Sequence, residues 1–303
     1  MSTSSQRPLV SVIMPCFNAA GTVRRAVASM LAQTFEDWEL IVVDDGSADS
    51  TRALLEELAR RVGPRIRVDG FSTNRGRGPA RQHALELTRG RWLAMVDADD
   101  WIYPTKLATQ LTVADREPGA VAISMAMAVV GEADALVGIH SRLGPADRPQ
   151  HIGPWTRIGR LPIPHAPSLL DGERARRTGF DPAFRFSEDA EFLTRLLLDQ
   201  RMVLLPEVGY AYAEPGSITL DKALASYSAT RRIMRRHARR FPVRSTAQQL
   251  ALYGKGLVWQ LASATGQEQR VLALHHRQPT PAERAAYERA LAVVRQAEAG
   301  TLG

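Results

Sequence analysis

The 303-residue sequence predicts an α/β fold in which a mostly parallel β-sheet is flanked by helices. Two short apolar runs rich in β-branched residues, at 10–14 and 40–43, and a further apolar run at 92–96 are typical of strands buried on both faces. Segments in which apolar residues recur at helical spacing separate these runs, and such alternation is the pattern of βαβ units. The composition, 45% hydrophobic and 23% charged, is ordinary for a globular protein.

The first 104 residues supply the elements in a regular order. The helices are assigned where apolar residues recur every third or fourth position, and the strands where they are continuous. The predicted elements, in chain order, are strand 10–14, helix 23–34, strand 40–43, helix 50–62, strand 66–68, helix 79–88 and strand 92–96.

The remainder of the chain is less regular. Its predicted elements are helix 105–115, an apolar run at 120–130, long loops over 138–167, helix 188–199 and helices throughout 221–303. Thr280-Pro281-Ala282-Glu283 has the form of a capping box with proline at the first helical position. The expected divisions are a disordered tail (1–7), a domain (8–220) with halves 8–104 and 105–220, and a basic helical extension (221–303).

Charge and cysteine content exclude several classes of protein. Residues 221–303 carry 14 Lys and Arg against 5 Asp and Glu, whereas residues 1–220 carry 25 against 27. Because the domain lacks a basic footprint, we expect no nucleic-acid partner. The single cysteine, Cys16, excludes an internal disulfide framework, and no apolar run is long enough to cross a bilayer. A cytoplasmic location is therefore expected.

Acidic residues follow two of the predicted strands. Asp44 and Asp45 come directly after strand 40–43, and Asp97, Asp99 and Asp100 follow strand 92–96. Parallel strands bring their carboxyl ends to one edge of a sheet, where ligands bind. If the chain stays extended, Asp97 and Asp99 point to the same side. Two such oxygen ligands suit Mg²⁺ or Mn²⁺ whose coordination shell is completed by phosphates.

Other interpretations of the aspartates were weighed. A calcium EF-hand loop is excluded, because its sixth and twelfth positions are Ile102 and Ala108 instead of Gly and Glu. A phosphorelay receiver module would open with the Asp-Asp strand, and here a complete βα unit precedes Asp44. A solvated acidic turn remains the simpler alternative for any isolated acidic cluster.

Phosphate also needs hydrogen-bond donors, and residues 74–90 offer them at a predicted loop-to-helix junction. Asn74, Gly76, Gly78 and Arg81 lie where free backbone N–H groups and the helix dipole favour anions. Arg81 is the candidate for a bidentate clamp on a diphosphate. An exposed arginine on a solvated helix is the alternative.

These motifs together resemble the family 2 glycosyltransferases, which have the fold called GT-A. The matching segments span about residues 9–200 and are VSVIMPCFNA, WELIVVDDGSADST, NRGRGPARQHALELTRGRW, MVDADDWIYP and GFDPAFRFSEDAEFLTRL. The resemblance implies a Rossmann-like sheet with a nucleotide-binding half (8–104) and an acceptor half (105–220). It also implies a nucleoside-diphosphate sugar donor and inversion at the anomeric carbon, serving cell envelope polysaccharide biosynthesis.

The resemblance implies roles for individual residues. Those assigned to the nucleotide sugar are Pro15, Phe17, Asn18, Asp44, Asp45, Arg81 and Asp97. Asp99 would bind the metal with help from Asp97, as a D-x-D motif. Asp189 matches the general base. Candidate acceptor or closing-loop contacts are Glu188, His165 and Glu214.

The residues themselves place Asp189 at a helix start. Ser187 can cap a helix whose first turn then holds Glu188 and Asp189, a position that favours carboxylates. A purely structural role for acidic residues at a helix start is the alternative. A glycan or a lipid-linked glycan is the expected acceptor.

The segment 227–241 predicts a basic amphipathic helix. Its arginines occupy one half of the helix and its apolar residues the other. Such a helix can lie on an anionic membrane, which would make the protein peripheral at the inner face. The alternative is a helix packed on the domain with its arginines in water. A non-catalytic nucleotide-sugar- or glycan-binding module is the second function considered for the whole chain, and a nucleotidyltransferase the third.

Overall fold

A computed structural model describes residues 7–156, 161–213, 220–239, 251–254, 256, 260 and 276–302. The strands are β1 (Val10–Cys16), β2 (Trp38–Asp45), β3 (Ile66–Phe71), β4 (Trp92–Met95), β5 (Trp101–Ile102), β6 (Ala120–Val130), β7 (Leu136–His140), β8 (Gln150–Ile152), β9 (Ser168–Asp171) and β10 (Arg201–Ala213). The main helices are α1 (Val23–Leu31), α2 (Thr51–Val62), α3 (Arg77–Glu86), α4 (Lys106–Arg116), α5 (Gly172–Thr178), α6 (Glu188–Leu197), α7 (Leu220–Arg236) and α8 (Pro281–Leu302).

The predicted α/β sheet is confirmed, and its first half is parallel. The strand order is β3-β2-β1-β4-β9-β6-β10-β5, with β7 on β6 and β8 on β10. β1 pairs parallel with both β2 and β4, and β2 pairs parallel with β3. β9 then runs antiparallel between β4 and β6, so the second half is mixed. This arrangement brings the carboxyl ends of β1, β2 and β4 to one edge.

Apolar residues alternate between the two faces of the sheet and build two layers of core. Val12 and Leu40 pack with the α1 and α2 side, whereas Ile13 and Ile41 pack with the α3 and α6 side. All four side chains are fully buried. Continuous apolar runs are therefore required in these strands, because both faces are covered.

The second half differs from the sequence expectation in two places. Residues 138–167, expected to be long loops, contain the end of β7 and all of β8. The strands β9 and β10 have no counterpart among the predicted elements. β10 is interrupted at Pro206, where the register with β6 shifts between Leu204 and Val208. A proline within an apolar run indicates a strand end, and only the bulge makes it compatible with pairing.

The helix α8 is anchored to the domain. Thr280 and Glu283 form the expected capping box, with Glu283 N–H donating to Thr280 Oγ1 at 3.2 Å and Thr280 N–H to Glu283 at 2.8 Å. Tyr287 packs on Trp101, and Arg25 of α1 pairs with Glu298. Helices do not fill 221–303 throughout, since residues 276–280 are non-helical. Within the described residues, no helix combines the length and apolar character needed to span a bilayer.

The basic helix α7 packs against the domain through both its apolar and its basic residues. Ile233 and Met234 are buried. Arg236 pairs with Asp181 and, at 3.0 Å, with Glu191, and Arg232 lies over the ring of Phe184. These contacts favour packing on the domain over a free basic face. Positions 240 and 241 of the predicted 227–241 helix lie outside the described residues.

Candidate active site

A cavity of about 500 Å³ opens at the carboxyl ends of β1, β2 and β4. Its lining comes from the loops after β1, β2, β3 and β4 and from the end of β10: Pro15, Cys16, Phe17, Asn18, Ala19, Thr22, Asp45, Asn74, Gly76, Arg77, Ala80, Asp97, Ala98, Asp99, Asp100 and Tyr212. A larger cavity of about 670 Å³ lies between α8 and residues 103–105, but it contains none of the acidic strand ends. The first cavity is therefore the candidate site.

Hydrogen bonds join the loop after β1 to the loop after β2. Ser47 Oγ donates to Asp44 and accepts the Asn18 N–H at 2.9 Å. Asn18 Oδ1 in turn accepts the Ala48 N–H at 2.9 Å. Asp44 is buried in this wall and does not border the cavity. The exposed ring of Phe17 stands at the rim beside Pro15.

Asp45 borders the cavity with both carboxylate oxygens already engaged. One oxygen accepts the Arg75 N–H at 2.7 Å and the other the Gly76 N–H at 2.8 Å. Gly76 has a φ of +98°, a conformation that favours glycine, and it leads directly into α3. Asp45 therefore fixes the loop at the start of α3, and any ligand contact would use the remaining lone pairs of its oxygens.

The aspartates after β4 form a turn instead of continuing as a strand. The Asp100 N–H donates to the Asp97 carbonyl at 3.1 Å, so the expectation of extended geometry is wrong. Asp97 and Asp99 nevertheless border the same cavity. Reduced solvation and then the charge of Asp97 raise the pKa of Asp99. The charges of Arg77 and Arg81 act on Asp99 in the opposite direction.

Arg81 lies beneath the cavity. Its guanidinium is 3% exposed and donates to Glu188 at 2.7 Å and to Asp97 at 3.1 Å. Burial opposes its charge, but Asp97, Asp189 and Glu188 together raise the pKa of Arg81. Because Arg81 does not border the cavity, the expected diphosphate clamp is not in place. Arg77, one turn earlier on α3, borders the cavity and is 62% exposed.

The start of α6 stands on the other side of Arg81. Glu188 is buried between Arg81 and Arg77, whose Nε lies 3.2 Å from the same carboxylate oxygen. Asp189 is half-buried and accepts the N–H of Ala190 at 2.8 Å. Burial raises the pKa of Asp189, but the charge of Arg81 and the hydrogen bond from the Ala190 N–H help to outweigh this and hold the pKa below its usual value. Asp189 is therefore ionised at neutral pH.

Ser187 does not cap α6 as predicted. Its φ of +54° is left-handed, and its hydroxyl contacts Ser226 of α7 at 3.3 Å instead of an amide of its own helix. Asp189 and Glu188 do not border the 500 Å³ cavity. They are connected to it through Arg81 and Arg77.

The other two candidate acceptor contacts have different outcomes. His165 is buried against the rings of Phe180 and Phe192, and its Nδ1 has no hydrogen-bond partner within the described residues. Burial and then Arg81 lower the pKa of His165 to about 4, so its ring is neutral. Glu214 lies outside the described residues.

Cys16 is a packed thiol. It is 2% exposed, and burial followed by the charge of Asp44 raises its pKa to about 12. A thiol with so high a pKa is a poor nucleophile.

The donor set for a divalent metal consists of two carboxylates. No cluster of three His, Cys, Asp or Glu side chains able to hold a metal occurs among the residues that the structure describes. Asp97 and Asp99 are candidate ligands for a hard cation, since both border the cavity and Asp99 is exposed. Mg²⁺ is commonly held by one or two carboxylates plus substrate phosphates, so this pair is sufficient.

Comparisons with known proteins identify the family of the chain. The profile described as "Glycosyl transferase family 2" matches residues 11–159. The succinoglycan biosynthesis protein ExoO of Rhizobium meliloti is 31% identical over 248 residues, which cover 76% of this chain and 69% of ExoO. The chain belongs to glycosyl transferase family 2. The putative teichuronic acid biosynthesis glycosyltransferase TuaG of Bacillus subtilis is 42% identical over 105 residues, which cover 41% of TuaG. The glucosyltransferase WfgD of Escherichia coli is 38% identical over 105 residues, which cover 40% of WfgD.

Solved structures support the GT-A fold. S. aureus TarS (residues 1–349) in complex with UDP-GlcNAc superposes with a TM-score of 0.66 at 18% identity, covering 95% of this chain and 81% of TarS. The mannosyltransferase PcManGT from Pyrobaculum calidifontis, in complex with GDP-Man and Mn²⁺, gives a TM-score of 0.59 at 18% identity, covering 98% and 88%.

Several residues at the site were missed by the sequence reasoning. Arg77 was overlooked beside Arg81, although positions four apart share one face of a helix. Tyr210 and Tyr212 lie on β10, which was not predicted, and they reach the acidic turn only through the antiparallel pairing of β10 with β5. The resemblance placed a candidate closing-loop contact at Glu214, directly after this strand in the sequence, and that was the available signal.

Proposed function

We propose that this family 2 glycosyltransferase moves a sugar from a nucleoside-diphosphate sugar to a hydroxyl acceptor by a single, inverting displacement. The observation that carries the proposal is the Arg81 bridge, which links Asp97 on the cavity wall to the start of α6, where Asp189 lies. A wall of the donor site and the start of α6 are thus joined through one buried side chain, whose charge also acts on Asp189.

The charges around the bridge support a donor that carries phosphate together with a cation. Among the described residues, two guanidinium groups, Arg77 and Arg81, lie near four carboxylates, those of Asp97, Asp99, Glu188 and Asp189. Asp97 and Asp99 would hold Mg²⁺ or Mn²⁺. Such an ion would supply Lewis-acid stabilisation of the charge on the departing diphosphate. Metal dependence is accordingly part of the proposal.

Arg77 is proposed to contact the diphosphate in place of Arg81. Its guanidinium is exposed at the cavity, and it lies at the first position of α3. The N-terminus of a helix favours anions through its free N–H groups and its dipole. Arg81, held by two carboxylates, would keep Asp97 and Glu188 in place. Pro15, Phe17, Asn18 and Asp45 would contact the nucleoside.

Asp189 is proposed as the general base. Glu188, its neighbour, is buried and its carboxylate is engaged by Arg81 and Arg77, so it is not open to an acceptor hydroxyl. The ionised Asp189 would accept the proton of the acceptor hydroxyl as that oxygen bonds to the anomeric carbon and the bond to the diphosphate breaks. Because Asp189 lies on the α6 side of Arg81, the acceptor would approach from that side.

The substrates follow by analogy with the relatives. The name of ExoO concerns polysaccharide biosynthesis, and TarS and PcManGT were solved with UDP-GlcNAc and GDP-Man. A glycan or lipid-linked glycan of the cell envelope is therefore the proposed acceptor class. A uridine or guanosine diphosphate sugar is the proposed donor class.

Two variants test the assignment. Thermal-shift measurements with nucleoside-diphosphate sugars, with and without Mn²⁺, identify the donor, because a ligand that binds only the folded state raises the melting temperature. Asp99→Ala is expected to lose the metal-dependent part of that shift. Asp115→Ala, which removes an exposed carboxylate on α4, is the control and should retain it. An unchanged metal effect in Asp99→Ala would place the metal elsewhere.

The base is tested separately. Asp189→Asn is expected to bind the donor normally and to lose sugar transfer by about 10²-fold or more, as expected when a general base is removed. Transfer at the wild-type rate would refute the assignment. A wild-type protein that binds donor but neither transfers nor hydrolyses it would favour the non-catalytic binding module.

A further inference from the structure

The third aspartate of the acidic turn is held differently from the other two. Asp100 is 2% exposed, and both of its carboxylate oxygens are occupied. Oδ2 accepts the hydroxyl of Tyr210 at 2.7 Å, and Oδ1 accepts the N–H of Ala213 at 2.8 Å. Although Asp100 touches the cavity, its oxygens are committed to β10.

Tyr210 completes a chain of hydrogen bonds around the turn. Its side chain is fully buried, and its oxygen also accepts the N–H of Asp97 at 3.1 Å. The Asp97 N–H thus donates to Tyr210 Oη, which donates to Asp100, which accepts from Ala213. Together with the hydrogen bond from Asp100 N–H to the Asp97 carbonyl, these contacts fix both ends of the turn.

The same contacts connect two walls of the cavity. Asp97 and Asp99 stand on one wall, and Tyr212, between Tyr210 and Ala213 on β10, stands on another. The two walls are more than a hundred residues apart in sequence, since Asp97 and Tyr210 are separated by 113 positions. Hydrogen bonds on both sides of Tyr212 therefore set how far the β10 wall lies from the acidic turn.

We propose that Tyr210 and Asp100 form a positioning clasp that holds Asp97 and Asp99 in the arrangement needed to bind a divalent cation together with a nucleoside diphosphate. This inference rests on the proposed function. Neither Tyr210 nor Asp100 contacts the ligand in this role, because the hydroxyl of Tyr210 and the carboxylate of Asp100 are used within the protein. Loss of the clasp should weaken cation binding more than it weakens the fold.

Tyr210→Phe tests the clasp, because it removes one oxygen atom and keeps the ring that packs in the core. It leaves the Asp97 N–H and Asp100 Oδ2 without their partner. Tyr287→Phe is the matched control, since it also removes a tyrosine hydroxyl that donates to the protein, here to the carbonyl of Asp134 at 2.9 Å, and neither residue lines the cavity. Asp100→Asn is a second variant that alters the other member of the clasp.

The measurement is Mn²⁺ binding followed by electron paramagnetic resonance, at saturating UDP or GDP, whichever stabilises the wild type more. Tyr210→Phe should raise the Mn²⁺ dissociation constant by about tenfold, the effect of leaving hydrogen-bonding groups unpaired. Asp100→Asn should change it in the same direction, and Tyr287→Phe by less than about twofold. Urea unfolding of all variants reports the loss of stability alone.

Two results would overturn the inference, and they differ. If Tyr210→Phe and Tyr287→Phe lose similar stability and both bind Mn²⁺ like the wild type, the hydrogen bonds serve only the fold. If the wild type itself binds no Mn²⁺ with either nucleotide, the proposed metal-dependent function fails and the clasp fails with it. A selective loss in Tyr210→Phe supports the clasp.

Discussion

The buried ion pair between Arg81 and Glu188 leads to a specific prediction about stability. Both side chains are almost fully buried, at 3% and 2% exposure, and their charged atoms lie 2.7 Å apart. Replacing Arg81 by Met leaves Glu188 buried with only Arg77, which is mostly in water. Breaking a buried pair by removing one partner costs about 3–5 kcal/mol, because a charge remains uncompensated. Arg81→Met should therefore destabilise the protein by about 3–5 kcal/mol.

A second Arg–Glu pair with the same interatomic distance but exposed side chains is the matched control. Arg52 and Glu56 on α2 are also 2.7 Å apart, but their side chains are 43% and 50% exposed. Exposed pairs contribute about 0–1 kcal/mol, so Arg52→Met should cost at most about 1 kcal/mol. Urea unfolding monitored by circular dichroism measures the free energy of unfolding of both variants. The comparison holds if the slope of that free energy against urea concentration is the same as in the wild type.

The pH dependence of the effect has a defined sign. Burial already raises the pKa of Glu188, and Arg81 is the largest influence that lowers it. Without Arg81 that pKa rises further, so acid converts Glu188 to its neutral form more easily. The destabilisation by Arg81→Met should then shrink as the pH falls from 8 to 5. Equal losses of unfolding free energy in Arg81→Met and Arg52→Met would refute the reasoning. A destabilisation by Arg81→Met that grows as the pH falls would also refute it.

Two further predictions concern other buried charges. Burial lowers the pKa of Lys106 to about 7, below its unfolded value, so the unfolded chain binds more protons between about pH 7 and 10.5 and stability should rise over that range. Lys106→Met should flatten this rise and stabilise the protein below pH 7 by about 2–5 kcal/mol, and a wild-type profile without any rise would contradict the prediction. Arg277 and the N–H of Thr280 outweigh burial and lower the pKa of Glu283 to about 2, so stability should be lost as the pH falls from about 4.5 to 2. Glu283→Gln should cost about 1 kcal/mol at pH 7 and remove that loss in acid, as measured by thermal melting at each pH.

Much of the first half of the fold was predictable because its strands are local patterns. β1, β2 and β4 are continuous apolar runs, and the helices between them repeat at 3.6 residues, so the parallel units follow from periodicity. β9 and β10 escaped prediction for the opposite reason. β9 has four residues, and β10 carries a proline at a bulge, so both are strands only because neighbours distant in sequence pair with them.

The candidate site was likewise predictable only where it depends on local sequence patterns. The rule that strand ends share one edge placed Asp45, Asp97 and Asp99 together, and the cavity contains all three. The same reasoning could not separate Arg77 from Arg81, since both lie on one face of α3. The difference between them depends on Glu188, which lies 107 residues after Arg81 in the sequence. The guanidinium of Arg81 is buried beside this carboxylate, whereas that of Arg77 stays exposed.

The sequence by itself determined the family, the parallel half of the sheet and the acidic edge, because these depend on motifs and on the spacing of neighbouring residues. The tertiary structure alone decided which arginine borders the cavity, which aspartate accepts the hydrogen bond of the Tyr210 hydroxyl, and which carboxylate at the start of α6 is buried in ion pairs. Burial and charge pairing are set by whatever packs against a side chain, and in this protein the packing partners come from more than a hundred residues away.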